Sequence, residues 1–286
     1  MITAAREGSS ESPVRPCLEA VLGFATDVFG VDKPIIGVIH LMPLPGSPRW
    51  GGDVEEVLSG AERDARALRD AGFDGLIVEN FGDAPFARDF AGRGAVAGMA
   101  AAGERVARAV ELPLGVNVLR NDALSAVAVA AATGARFIRV NVHVGAAVCD
   151  QGIVQSDAMA TMRAVRDMIP GLRVLADVGV KHAARLGDGD MEEEARDAVG
   201  RGLASGLIVT GRATGSPTSP EDVEKVRSAV PGTDVLVGSG ARLESVHEIL
   251  MGCDGIIVGS AVMEGGRPGG PIEAARAKAL VAAARA

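Results

Sequence analysis

Four ionisable side chains stand at or just beyond the ends of apolar, β-branched runs in this sequence: His40, Glu79, Asp177 and, four residues after the last, Lys181. A histidine titrates near neutrality and can pass a proton in either direction. A carboxylate at a strand end can take a proton from carbon. A lysine can polarise a carbonyl as a cation or, when desolvated, attack it as an amine. Acid, base and cation around a carbonyl are the parts that isomerases and aldolase-type lyases use. The structural alternatives for the same residues are an ion pair of Glu79 with Arg139 and a salt bridge between Asp177 and Lys181.

Other polar groups occupy comparable positions. The amides of Asn117 and Asn141 can orient hydroxyls or carbonyls of a small ligand, or satisfy backbone groups instead. His143 follows Asn141 by two residues and is expected on the same side of its strand. Thr210-Gly211 and Thr214-Gly215 flank Arg212, giving hydroxyls, a guanidinium and flexible backbone suited to an anionic or hydroxylated ligand, or to an exposed turn. The most specific signal is a near-repeat, Val237-Gly238-Ser239-Gly240 and Val258-Gly259-Ser260-Ala261, in which glycine lets backbone N–H groups approach phosphate oxygens. No cofactor and no metal ligand set is predicted. Metal-assisted hydrolysis by a divalent ion would require His40, His143, Glu79 or Asp177 to converge, and the two-histidine pattern on the first strand is missing.

These residues need a scaffold that brings distant strand ends together. Strand-like runs begin near Ile35, Gly75, Leu114, Phe137, Arg173, Gly206, Asp234 and Gly255. Each is almost continuously apolar, as parallel strands buried on both faces require. Helical segments alternate with them: Val54–Ala71, Ala95–Val110, Ala123–Thr133, Asp157–Ile169, Met191–Leu203, Glu221–Ala229, Leu243–Met251 and a last one over Ile272–Ala284. Asp53, Asp122, Ser156 and Ser219 are expected to cap helices, with Pro220 at a first helical position. This pattern predicts a (β/α)8 TIM barrel over residues 33–286, preceded by an N-terminal arm and short helix in residues 1–32 that cover its floor. An open doubly wound sheet would carry a G-x-G-x-x-G turn after its first strand, where this chain has the stiff Leu41-Met42-Pro43-Leu44-Pro45-Gly46-Ser47-Pro48.

Composition removes several function classes. A net charge of −8 without a long Lys/Arg run gives no electrostatic footprint for nucleic acid, and with 1 Trp, 7 Phe and no Tyr base-stacking surfaces are scarce. Cys17, Cys149 and Cys253 are too few and too far apart for a disulfide framework or paired zinc ligands, which predicts a reducing, cytoplasmic location. The stretch Leu18–Phe29 is interrupted by Glu19 and Asp27 and reads as an amphipathic helix, not a signal peptide, and no run is long enough to insert in a membrane. The expected partner is a small anionic substrate. The outer helices of such barrels also support homo-oligomers.

The segment Lys33-Pro34-Ile35-Ile36-Gly37-Val38-Ile39-His40-Leu41-Met42-Pro43-Leu44-Pro45-Gly46-Ser47-Pro48 resembles the BtpA/SgcQ family. The resemblance extends through Asp74–Asp83, Gly115–Asp122, Ala176–Ala183, Thr210-Gly211 and Thr214-Gly215, and covers about residues 27–270. It implies a barrel of the ribulose-phosphate-binding type and, for photosynthetic members, an association with photosystem I biogenesis. Members also occur in organisms without photosystems, so that role is not general, and a non-catalytic assembly factor stands as the alternative to an enzyme. Similar proteins tend to place a basic residue soon after the eighth-strand glycine. Here Met263-Glu264 follow, and a carboxylate there would repel a phosphate unless Arg267 substitutes.

Overall fold

A computed structural model describes residues 23–211 and 217–286 of the chain. The barrel strands are β1 (Ile35–His40), β2 (Gly75–Glu79), β3 (Leu114–Asn117) and β4 (Phe137–Val140). A small antiparallel sheet adds β5 (Ala146–Cys149), β6 (Gly152–Gln155) and, after barrel strand β7 (Arg173–Val178), β8 (Ala183–Arg185). The barrel is completed by β9 (Gly206–Val209), β10 (Val235–Val237) and β11 (Ile256–Val258). All eight barrel strands run parallel in the closed order β1-β11-β10-β9-β7-β4-β3-β2. The fold is therefore a TIM-barrel-like α/β fold, and its eight strands are the eight apolar runs of the sequence.

The helices are α1 (Phe24–Phe29), α2 (Val54–Ala71), α3 (Arg93–Ala109), α4 (Ala123–Thr133), α5 (Ala158–Met168), α6 (Met191–Gly200), α7 (Pro220–Ala229), α8 (Val246–Met251) and α9 (Ala274–Ala284). Asp53, Asp122 and Ser219 cap α2, α4 and α7 through side-chain oxygens, and Pro220 takes the first position of α7. At α5 the cap is Asp157, not Ser156: its carboxylate accepts the N–H of Ala160 at 2.9 Å. Among the described residues no helix is long and apolar enough to cross a membrane.

The strands' inward side chains Ile36, Val38, Ile77, Phe137, Leu175, Ile208, Leu236 and Ile257 fill the barrel, and Phe24 and Val28 of α1 join them from below. Phe24 and Phe29 both meet the Phe137 ring edge-on, at 5.7 and 5.6 Å between centroids. Asp234 accepts the Ala25 N–H at 2.7 Å and Asp27 pairs with Arg173 at 2.9 Å, so α1 is tied to the barrel floor by polar groups as well. The arm ahead of α1, with Cys17 and the stretch from Leu18, lies outside the described residues, as do Arg212, Thr214 and Gly215.

Polar motif residues hold the upper loops. Asp83 accepts the Leu44 N–H at 2.7 Å and fixes the proline-rich loop after β1. Asn80 clamps Leu119 through both its N–H and its carbonyl, and Asn121 does the same for Val142. These contacts satisfy buried backbone groups where regular pairing ends.

Candidate active site

A cavity of about 750 Å³ opens at the carboxyl ends of the strands. Its lining includes His40, Glu79, Arg139 and Lys181 together with Gly238-Ser239-Gly240 and Gly259-Ser260-Ala261. Stretches of chain more than 200 residues apart in the sequence thus meet at one mouth, because a closed parallel barrel directs every strand end the same way.

Two buried carboxylates at the strand ends have different surroundings. Asp177 is fully engaged: its two oxygens accept from Arg139 Nε and Nη2 at 2.8 and 2.9 Å, and from Asn141 Nδ2 at 2.8 Å. Neither the expected Asp177–Lys181 bridge nor the expected Glu79–Arg139 pair forms, because the fork of Arg139 takes Asp177 instead. Asp177 does not line the cavity, so its place is that of a buried counter-ion which positions Arg139, not of a proton carrier. Glu79 is available. Its Oε2 accepts from Asn117 Nδ2 at 2.8 Å, while Oε1 lies 3.6 Å from His40 Nε2. Burial pushes this carboxyl up; the opposing pulls are, in order, a charged His40, Lys181, Arg139 and the Asn117 amide, which together hold Glu79 below the usual carboxylate range. The amides of Asn117 and Asn141 therefore serve the two carboxylates, and neither lines the cavity.

His40 is held as a neutral ring. Burial pushes its pKa down to about 4, helped by Lys181 and Arg139 and opposed by Glu79. Its Nδ1 accepts the Gly269 N–H at 2.9 Å, which places the remaining ring proton on Nε2, directed at Glu79. The ring stacks on Phe81 with 4.1 Å between centroids. A neutral Nε2–H is a hydrogen-bond donor, and here it is directed at the Glu79 carboxylate. With His40 uncharged its share of that pull is absent, and Lys181, Arg139 and the Asn117 amide remain against burial.

The glycine loops differ from one another. An ideal Cβ on Gly238 would lie 2.4 Å from Ile208 Cγ2, so glycine there is demanded by barrel packing. On Gly259 the nearest atom would be His40 Nε2 at 3.7 Å; the missing side chain leaves the cavity open beside that nitrogen. Gly240 has φ of 84°, the left-handed region that lets the loop turn back over the mouth. The backbone N–H groups of Gly240, Ala241, Ser260 and Ala261 have no hydrogen-bond partner among the described residues. Glu264 and Arg267 do not line the cavity, whereas Arg242 and Arg276 do. Neither arginine was picked out from the sequence. Arg242 lies two residues past Gly240 in the same loop, and Arg276 comes from the first turn of α9, which the topology sets at the mouth.

Three expected site residues sit elsewhere. His143 is buried with Nε2 at 2.8 Å from the Gly202 carbonyl, behind α6, because β4 ends at Val140 and the chain bends. The alternation that would have carried it to the side of Asn141 does not continue past the last paired residue. Thr210 reaches the Gly179 carbonyl at 3.4 Å, and Gly211 donates its N–H to Ser239 Oγ at 2.7 Å, so these groups brace neighbouring loops. Among the described residues no three His, Cys, Asp or Glu side chains group to hold a metal ion.

Residues 31–286 match the BtpA family. The chain belongs to that family. It is 42% identical over 255 residues, 89% of each chain, to the Photosystem I biogenesis protein BtpA of Synechocystis. It is 47% identical over 251 residues to an uncharacterised protein of Pyrococcus furiosus, covering 87% of this chain and 94% of that one. Among solved structures, a thiamine phosphate pyrophosphorylase from Pyrococcus furiosus superposes with a TM-score of 0.54 at 18% identity, covering 89% and 96% of the two chains. A phosphoribosyl anthranilate isomerase from Thermus thermophilus gives 0.53 at 13%, covering 88% and 98%. At such identities the likeness extends to the fold alone. The BtpA-family barrel thus shares its architecture with TIM-barrel enzymes.

Proposed function

We propose that this BtpA-family barrel is an enzyme acting on a small phosphorylated carbonyl compound, by isomerase or lyase chemistry. The phosphate rests against the backbone N–H groups of Gly240, Ala241, Ser260 and Ala261, with Arg242 and Arg276 at the entrance. The carbonyl lies toward Arg139 and Lys181, whose charge stabilises an oxyanion as it develops. Glu79, ionised at neutral pH, removes a proton from the adjacent carbon. The observation that supports the reading is that one cavity is lined both by the paired glycine loops and by an ionised carboxylate beside two cationic side chains.

Thermal-shift screening of sugar phosphates, their unphosphorylated parents and divalent ions tests it, repeated with Gly259→Asp. That substitution puts a carboxylate where an ideal Cβ meets only the His40 ring at ordinary contact distance. A phosphorylated compound that stabilises the parent by several degrees and not the variant supports the reading. Stabilisation by none would move the weight to the second reading, a non-catalytic assembly factor, which the name of the Synechocystis relative supports.

A further inference from the structure

Lys181 carries more than a polarising charge. Of the chain's 4 lysines, Lys33, Lys181, Lys225 and Lys278, it is the one that lines the cavity. Lys33 is bound to the Leu250 and Met251 carbonyls at 2.7 and 3.1 Å, and Lys225 and Lys278 are exposed on outer helices. Lys181 Nζ makes no hydrogen bond among the described residues, and no carboxylate of those residues lies within ion-pair distance. Of the two carboxylates whose charge it feels, Asp177 is saturated by Arg139 and Asn141, while Glu79 accepts from Asn117 and keeps Oε1 3.6 Å from His40. Burial lowers the Lys181 pKa and the Arg139 guanidinium lowers it further, against the pull of Glu79 and Asp177. An amine with an open approach, no salt bridge and a fixed cation beside it is arranged to react as a nucleophile.

We propose that Lys181 is a covalent catalytic residue whose Nζ attacks the carbonyl carbon of a phosphorylated aldehyde or ketone held in this cavity. The proposal rests on the cavity being the substrate site and deepens it to an imine mechanism. As the C–N bond forms, the C=O π bond breaks and one amine proton passes, by way of a solvent molecule and Glu79, to the oxygen, giving a carbinolamine. The C–O bond then breaks as the second N–H proton follows the same route, water leaves, and the imine remains with Glu79 again ionised. A proton from solvent converts the imine to an iminium, which accepts the electron pair when a C–H bond at the neighbouring carbon gives its proton to Glu79, or when a C–C bond there breaks and the departing fragment leaves as an aldehyde while its hydroxyl proton passes to Glu79. Protonation of that carbon and hydrolysis return the free lysine. No oxidant or reductant enters the cycle.

Pyridoxal 5′-phosphate joins an aldehyde to a phosphate and is the probe. The whole protein is incubated with it, reduced with borohydride, and each lysine is quantified by peptide mass mapping. Labelling of Lys181 should outpace that of Lys225 and Lys278 several-fold at neutral pH, since the cavity holds the probe's phosphate beside an amine that burial and Arg139 disfavour as a cation. Inorganic phosphate should slow labelling at Lys181 alone, and Glu79→Gln should slow it without abolishing that protection. Labelling that spares Lys181, or treats all exposed lysines alike, overturns the imine. The substrate-site reading then survives if inorganic phosphate still stabilises the parent and not Gly259→Asp. Fast labelling of Lys181 that phosphate fails to slow overturns the anion cradle and leaves the reactive amine standing. Lys181→Gln serves as the blank; should it not fold, the comparison among lysines within the parent protein still decides.

Discussion

Removing the Asp177 carboxylate should unfold this barrel more readily, and the size of the effect separates a structural from a catalytic role. Arg139 has a side chain 3% exposed and Asp177 0%, and the pair is bidentate with the Asn141 amide as a third partner. Asp177→Ala leaves a guanidinium buried without its counter-ion, which costs about 3–5 kcal/mol. With about 2.1 cal/mol/K of unfolding entropy per residue over 286 residues, that loss lowers Tm by roughly 5–8 °C. Replacing both partners, as in Arg139→Met with Asp177→Leu, removes the unpaired charge and should recover most of the loss, giving a coupling energy of roughly 2 kcal/mol or more in a double-mutant cycle. Urea or thermal unfolding of the four proteins reads this directly. A proton-transfer carboxylate held at the expense of stability would behave in the opposite way, and its removal would leave Tm unchanged or raised. An Asp177→Ala protein within about 1 kcal/mol of the parent would refute the assignment of Asp177 as a counter-ion.

His40 is neutral in the fold with a pKa of about 4, against 6.5 in the unfolded chain. The unfolded state therefore binds the proton first as pH falls, and stability should drop between about pH 6.5 and 4 by at most about 3 kcal/mol from this group. His40→Phe should lose the Gly269 contact yet flatten that part of the curve, and an unchanged slope by chemical denaturation would exclude His40 as its source. Gly238→Ala meets Ile208 at 2.4 Å and should cost roughly 1–3 kcal/mol by overpacking, whereas Gly259→Ala, with its nearest contact at 3.7 Å, should fold as the parent does while narrowing the cavity. Equal Tm losses for the two would contradict the packing argument. Glu79→Gln should keep phosphate-dependent stabilisation while turnover of any identified substrate falls by at least about 100-fold, measured by initial rates.

The eight barrel strands were legible because each is buried on both faces and so appears as an unbroken apolar run flanked by helix-ending glycines such as Gly72 and Gly134. The sheet of β5, β6 and β8 was not, because its strands are three or four residues long and partly exposed, with neither a long apolar run nor sustained alternation. Its turn signal, Asp150-Gln151-Gly152, stood unread beside the weak strands. Residues at the very ends of paired strands, His40, Glu79 and the two glycine loops, were placed at the mouth by counting along the strand. Counting failed one step further on. Beyond Val140 no ladder fixes the alternation, and His143 turned away to Gly202. Roles were less legible than positions: which carboxylate Arg139 would pair with depended on its reach across the barrel, and no local pattern marked Arg276 as a neighbour of Gly266.

The most direct test of the central claim is a crystal structure of the protein soaked with inorganic phosphate. The account predicts difference density between the backbone amides of Gly240-Ala241 and Ser260-Ala261, above His40. Phosphate bound instead in the second cavity, which is lined by Val144, Arg185 and Met191, with this mouth filled only by solvent, would contradict it.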